Sequence, residues 1–470
     1  MKYLPLSFGL SLCLLFACTN NTISKETPPA IVNPGFSLDE LQLRTFNWFW
    51  ELADSNNYQI LDRYPSRTFS SIAATGFGLT SYLVGIERKF ISRAQAAERV
   101  LKTLKVLHSL PQGPEAEGVS GHKGLFYHFL TLDKAQRYKQ VELSTIDTGL
   151  LMAGVLSVMS YFDQDTDQEK DIRDLADALY RRVEWDWALN ENNRLSMGWH
   201  PEKGYISAEW KGYNEAIILL IMAIGSPTHP IPADAWAKWC ETYQWATFQG
   251  QEHLNFSPLF GHQYSHMYID FQGIQDPYMR EKGIDYFENA RRATYANRQY
   301  CIENPMGFTG YGENQWGLTA SDGPRGEPRK AMVGQKEVQF RTYWARGASS
   351  LHINDDGTIA PTAAGGSVPF APEICIPALK FMWDQHYDKL VGPYGFKDAF
   401  NLTYTFSEGN EAGWFDYDYL GIDQGPILIQ IENHRSKLIW EVMKKNPYIV
   451  AGLKKAGFTG GWLEKTTSPH

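Results

Sequence analysis

The chain runs to 470 residues, 43% hydrophobic and 14% aromatic, with a formal net charge of −9. That length and apolar content supply a large buried core, and the negative balance excludes a nucleic-acid partner, whose phosphates would be repelled. Beyond Cys18 only Cys240, Cys301 and Cys375 remain, with no CxxC spacing, so neither a zinc site nor a disulfide framework is indicated.

The first twenty residues read MKYLPLSFGLSLCLLFACTN. Lys2, an apolar stretch over 4–17 too short to span a bilayer, and Leu15-Phe16-Ala17-Cys18 resemble a bacterial lipobox. The resemblance implies a signal peptide over 1–17, lipidation of Cys18 and, with Thr19 rather than Asp next, the outer membrane. The expected partner is therefore a membrane reached through a lipid, and the expected location is the cell envelope. Residues 18–35 are polar and Pro-bearing and read as a flexible tether; 36–464 read as one domain, and 465–470 as a disordered tail.

Helical periodicity dominates the domain. It predicts helices over 38–53 (after a Ser37 cap), 92–109, 145–162, 168–188, 213–224, 233–248, 285–301, 371–386, 424–445 and 447–456. Long Gly-, Asn-, Trp- and Tyr-rich loops separate them at 56–75, 110–125, 189–212, 251–282, 303–338, 353–370 and 393–422, with a short strand over 337–343. No βαβ alternation and no short-period repeat appears. Paired helices with functional-length loops gathering over one end predict an all-α (α/α)6 toroid.

Candidate chemistry lies in several of these segments. In KQVELSTIDTGLLMAG (139–154), Ser144 and Asp147 read as a capping box, with Glu142 the freer acid. In WHPEKGYISAEWKGYNEAIILLIMAIG (199–225), Trp210, Tyr213 and Glu215 surround the entry to an apolar helix. Partly apolar surroundings would raise the Glu215 pKa, as a general acid requires; a helix-start acid favoured by the macrodipole is the plainer reading. Asp398 in PYGFKDAFN is a turn acid or a reactive one, and Asp423 in YLGIDQGPILIQIENHR is first of all an N-cap. Glu432, deeper in that helix, reads as a paired structural acid. FGHQYSHMYIDFQGIQDP gathers His262, Gln263, His266 and Asp270 as polar sugar contacts or satisfied buried groups; without an acidic third ligand at zincin spacing, no metal is expected. Tyr311, Trp316 and Asp322 in YGENQWGLTASDGPRGE resemble a sugar-lining loop. No nucleophile elbow, P-loop or dinucleotide fingerprint occurs, and no cofactor is expected.

In matching order, LDRYPSRTFSSIAATGFGLTSYLVGIER (61–88), VELSTIDTGLLMAGVL, WKGYNEAIILLIMAIGSPTHPIP, SPLFGHQYSHMYIDFQGIQD, ENQWGLTASDGP, GTIAPTAAGGSVPFAPE, GFKDAFN and GIDQGPILIQIENHRS resemble the bacterial glycoamylase-like domain, glycoside hydrolase family 144. The resemblance runs from about residue 38 to the C-terminus. It implies an (α/α)6 barrel that hydrolyses β-1,2-glucan or its oligosaccharides with anomeric inversion, Glu215 being the acid. Asp398, Asp423 and Asp147 all match motif acids, so the base stays open among them. Arg63 and the aromatic and His residues above would line the substrate. Residues 402–419 exceed the family norm, and an insertion there would wall off a subsite, favouring attack from a chain end, or change the substrate.

Three other readings compete. A non-catalytic outer-membrane glycan-binding lipoprotein also combines a lipid, helices and aromatics, and a hydrolase of another glucan linkage would share these acids. A polysaccharide lyase using Tyr and His near 262–268 would need clustered cations, whereas the motif loops offer mainly Arg63, Arg67 and Lys211.

Overall fold

The computed structural model describes residues 33–465; the signal segment, Cys18, the tether up to residue 32 and residues 466–470 lie outside them. The helices in chain order are α1 Leu38–Glu51, α2 Ile72–Glu87, α3 Arg93–Ser109, α4 Thr145–Tyr161, α5 Asp167–Arg181, α6 Ile217–Gly225, α7 Asp234–Cys240, α8 Pro277–Lys282, α9 Tyr286–Glu303, α10 Pro361–Gly365, α11 Pro372–Leu390, α12 Gly421–Ser436, α13 Leu438–Met443, α14 Pro447–Lys455 and α15 Gly461–Lys465. Alternate members form two concentric rings, the (α/α)6 toroid. The inner ring is α2, α4, α6, the 3-10 turns at Leu259–His262 and Ser265–Met267, α10 and α12; the outer ring is α1, α3, α5, α7, α9 and α11. α2 packs on α4 and α12, α4 on α6, and α10 on α12. Ser265 ties the inner turns to α6 through Ile218 N–H (3.0 Å), and Gln263 ties them to α10 through Ala363 O (2.9 Å).

The inner helices are buried on all faces, which explains why α2 escapes a search for amphipathic period: residues 72–85 are all buried, so polar–apolar alternation disappears. α2 and α4 cross closely at paired glycines. A Cβ on Gly154 would lie 2.2 Å from Gly76 O, and one on Gly76 would lie 2.4 Å from Leu150 O. The outer helices are amphipathic, and α3 carries a complete capping box from Ser92 and Gln95.

Four expected helices are shorter than their sequence pattern, the 213–224 segment because α6 begins only at Ile217. The 233–248 segment leaves the helix after Cys240, because Gln249 and Gly250, both at positive φ, turn Trp245–Phe248 back against Gln251–Leu254 as a hairpin. Lys437, at φ 62°, divides α12 from α13. The 168–188 segment ends as a helix at Arg181, with a 3-10 turn at Asp186–Ala188. Short antiparallel pairs fill the loops, and the five-stranded sheet at Gly121–Tyr205 puts Leu143–Ser144, just before α4, beside Gly198–His200. No helix among the described residues is long and apolar enough to cross a membrane.

Candidate active site

The loops that deliver the chain into the inner helices converge on a cavity of about 380 Å³. Its wall includes Asp62 and Arg63 before α2, His128, Asp147 at the start of α4, Glu215 before α6, Tyr264 in the inner turns, Tyr343, and Ile422 at the start of α12. The acids come together here because three inner helices begin next to them. The helix bodies are apolar, so the mouth of the ring is where a carboxylate reaches water.

Glu215 is half-buried in this wall. Its backbone carbonyl accepts from Ser265 Oγ (2.7 Å), which fixes the residue, while its buried Oε2 receives no protein donor. Burial, with the Asp147 charge nearby, pushes its carboxyl up to about 7. Asp147 is itself buried. Ser144 caps α4 through Asp147 N–H (3.2 Å) and donates its hydroxyl to Asp147 Oδ2 (2.5 Å), so the Asp side chain meets the Ser hydroxyl rather than the reciprocal backbone N–H of a full capping box. His128 joins the acids: Nδ1 lies 2.8 Å from Glu142 Oε1 and Nε2 lies 3.6 Å from Asp147 Oδ1. Glu142 is thus paired, not free, and the imidazole partner holds it below its ordinary value against the upward pull of burial.

Facing them is a buried carboxyl pair. Asp398 Oδ2 accepts the Asp322 N–H at 2.6 Å; Asp398 Oδ1 and Asp423 Oδ2 receive no other protein donor. The two carboxyls are close enough for each to act on the other's titration. Burial raises both: Asp423 to about 7, although Asp398 lowers it, and Asp398 well above the carboxylate range, helped by the Asp423 and Asp322 charges. Asp423 is not the N-cap its sequence suggests. α12 begins at Gly421, which puts Asp423 in the first turn with its carboxyl aimed at Asp398. Burial, and then the charges of Asp423, Glu215 and Asp147, raise the hydroxyl of Tyr264 in the cavity wall.

Arg63 lies behind the pair, bonded to Asp62 (3.0 Å) and to Asp322 Oδ2 (2.6 Å). Arg325 also binds Asp322 and approaches Asp418 at 3.4 Å. Asp322, Asp416 and Asp418 bring their carboxylates within 4.8 Å of one another, a spacing that could hold a cation. Two guanidiniums already neutralise that cluster. Residues 402–419 pack against the loops around Asp322 and Ser66. Tyr404 packs with Phe308, Val338 and Phe340 under the hairpin Lys330–Gln339. Tyr417 stacks with Arg325 (5.6 Å) and reaches Ser66 Oγ (3.3 Å), while Asp418 accepts Ser66 N–H (2.9 Å).

The other candidates of the sequence reading do not line the cavity. Trp210 is buried with its indole N–H on Thr145 Oγ1 (2.9 Å), and Tyr213 stacks on Tyr286 in the core. His262 bonds Phe256 O, and His266 lies between the Phe271 and Phe370 rings; burial pushes both to about 3. Tyr268 is buried against Thr80, so of the Tyr and His residues near 262–268 that a lyase would use, Tyr264 alone lines the cavity. Gln263 cross-links inner elements. Asp270 pairs with Lys444 (2.8 Å), and Trp316 is fully buried in the second core cluster. These residues are polar or aromatic because they cross-link and fill the ring. Glu432 takes Arg88 through both oxygens (2.7 and 2.6 Å) and Gln42 (3.0 Å), a structural acid far from the mouth. His128, Asp62, Tyr264, Tyr343 and Arg325 escaped the sequence reading. The only sequence signal for His128 is an ionisable residue inside the otherwise apolar run LFYHFL.

Residues 207–447, just over half of the chain, match the Glycoamylase family model, described as "Putative glucoamylase". An exo β-1,2-glucooligosaccharide sophorohydrolase (non-reducing end) from Parabacteroides distasonis is 30% identical over 93% of this chain; the chain spans only 59% of that relative's length. Among solved structures, an endo-β-1,2-glucanase from Chitinophaga pinensis, in complex with sophorotriose and glucose, has a TM-score of 0.78 and 31% identity, covering 91% of this chain and all of that one. A β-1,2-glucanase from Parabacteroides distasonis has a TM-score of 0.74 and 29% identity, covering 89% of this chain and 59% of that one.

Proposed function

Because this chain belongs to the glycoamylase-like family, glycoside hydrolase family 144 in its motifs, we propose that it hydrolyses β-1,2-linked glucan or its oligosaccharides with inversion at the anomeric carbon. What supports the reading is Glu215 in the cavity wall, its Oε2 without a protein donor and its carboxyl raised by burial to about 7, together with the buried carboxyls of Asp398 and of Asp423, the latter next to the wall residue Ile422. Glu215 donates its proton to the glycosidic oxygen. The pair accepts the proton of the attacking water, directly or through a substrate hydroxyl, and titrates as a unit. A single-displacement hydrolysis needs one of these acids protonated and another ionised. Arg63, fixed by Asp62 and Asp322, keeps that end of the site from accumulating unbalanced negative charge.

Incubation with long β-1,2-glucan, followed by proton NMR of the first-formed product, tests this reading. Release of the anomer opposite to the substrate linkage supports it. Retention of configuration removes the mechanism, release from another glucan only removes the linkage, and binding without release leaves the glycan-binding lipoprotein.

The membrane partner is a proposal from the lipobox alone. Lipid labelling of the full chain, lost in Cys18→Ser, is the expected result; an unlabelled, freely released wild-type chain refutes it.

A further inference from the structure

His128 joins the strand Leu125–Tyr127 to the entry of α2. Its N–H donates to Glu142 O (3.0 Å) and its carbonyl accepts Ile72 N–H (3.3 Å), so the backbone is fixed on both sides. The ring lies against Phe129, with centroids 3.9 Å apart. Both ring nitrogens face carboxylates, Nδ1 toward Glu142 and Nε2 toward Asp147. A neutral imidazole has one donor and one acceptor nitrogen, and the acceptor would then oppose a carboxylate lone pair. Nδ1 is within hydrogen-bond reach of Glu142 and Nε2 faces the Asp147 carboxylate at ion-pair distance, so with both carboxylates ionised the doubly protonated ring is the form that suits them. Asp62 adds a third negative charge on the cavity side. The Arg63 guanidinium next to it is engaged by Asp62 and Asp322.

Resting on the hydrolase reading above, we infer that His128 is a positioning residue: its imidazolium bridges Glu142 and Asp147, holds Asp147 as an anion beside Glu215, and so keeps the proton on the acid. The electrostatics agree with the geometry. Burial pulls His128 down, but Asp147 and Glu142 outweigh it and hold the ring up to about 9. Asp147 is raised by burial and drawn back by His128. Glu215 is raised by burial and then by Asp147. Without the cation, Asp147 in its buried place takes up a proton, and its push on Glu215 disappears.

Two readouts test the inference. The first needs no activity: histidine ring NMR of the full chain, with the His128 signal identified by its loss in His128→Gln. The ring is expected to stay doubly protonated through pH 8, and its midpoint to fall by about one unit or more in Glu142→Gln. A midpoint near the ordinary 6.5, or none of the expected fall, overturns the clamp. The second is the pH profile on β-1,2-glucan. In His128→Gln the basic limb of kcat/KM should move to lower pH by about one unit, with kcat falling more than KM changes, and His128→Lys should move the limb back. Loss of activity with the limb unmoved in both variants would mean a merely structural residue. A wild-type chain that releases no sugar from any glucan would strike the hydrolase reading, while the NMR titration still decides the clamp.

Discussion

Asp398 and Asp423 cannot both be the proton acceptor, and three substitutions separate them. Asp398→Asn keeps an oxygen to accept Asp322 N–H, which lies at 2.6 Å, and puts a neutral amide donor where burial already favours the protonated carboxyl. The variant therefore mimics protonated Asp398. If Asp423 accepts the proton, Asp398→Asn keeps most of its turnover and its acid limb stays near 7, the value to which burial raises Asp423. Asp398→Ala removes the donor. A hydrogen bond to a charged group contributes about 1.5–3 kcal/mol, and one pH unit corresponds to about 1.4 kcal/mol, so the acid limb should rise by about one to two units. Glu215 must still hold its proton, and its limb lies at about 7. The active protonation state then shrinks at every pH, and the maximum should fall by roughly 10- to 100-fold. Asp423→Asn should lose about 10²–10⁴-fold at all pH values. The assay is kcat/KM on a defined β-1,2-glucooligosaccharide from pH 4 to 10, with oligosaccharide binding followed calorimetrically. If Asp398→Asn binds normally yet is as inactive as Asp423→Asn throughout, the assignment is refuted and Asp398 is the base.

Glu215→Gln should bind oligosaccharide, lose about 10²–10⁴-fold in turnover, and gain stability in a pH-dependent way. The folded-state carboxyl lies at about 7, above its unfolded value, so its stabilising proton is fully present at low pH and lost as pH rises through 7. Urea melts should therefore match at pH 4.5 and favour Gln by up to about 3 kcal/mol at pH 8; an equal advantage at both pH values would refute the linkage. Gly154→Ala forces a Cβ to 2.2 Å from Gly76 O and should cost about 2–3 kcal/mol or more by overpacking, read as a lower urea midpoint with unchanged slope. Joint Arg325→Ala and Tyr417→Ala substitution removes the Arg325–Tyr417 stack and the Tyr417–Ser66 bond, leaving only Asp418 on Ser66 N–H. Product chromatography on a long β-1,2-glucan should change from one dominant short product to a ladder of sizes. A ladder already present in wild type would show that this segment does not set the product.

The amphipathic outer helices were legible in the sequence because half of each faces solvent and the 3.6-residue period survives. α2 was not, because burial on every face erases that period. α10, five residues long, carries too few positions to show any period, and Pro361 at its start reads equally well as a loop. The aromatic and His candidates misled for a related reason. In a double ring, large rings and imidazoles fill the space between helices, so Trp210, Tyr213, His266 and Trp316 resemble a sugar-stacking set while serving as core. Composition cannot separate the two uses, since both need the same side chains. Long-range partners were equally out of reach: nothing near His128 in the chain announces Asp147 nineteen residues later, because the pairing depends on which loops meet above the ring.

The acids stood out in the sequence for a physical reason that lies in their position along the chain. Asp147 is the third residue of α4, Glu215 lies two residues before α6, and Asp423 is the third residue of α12. Each is followed by a helix buried along most of its length. An acid next to such a run cannot be an ordinary surface cap, for the run has no wet face to share with it. It belongs where an inner helix meets the open end of the ring, as Asp147 and Glu215 do in the cavity wall. An ionisable residue at the head of an all-round apolar helix is therefore a positional signal, pointing to the mouth whatever its local role. Ser144 capping α4 and Asp147 facing the cavity are two aspects of that placement, since the cap fixes where the helix begins and so where the carboxylate is held. Asp398 has no such helix behind it. The paired strands Phe400–Asn401 and Trp414–Phe415 place it instead, and for that residue only the resemblance of GFKDAFN to the family motif made it visible.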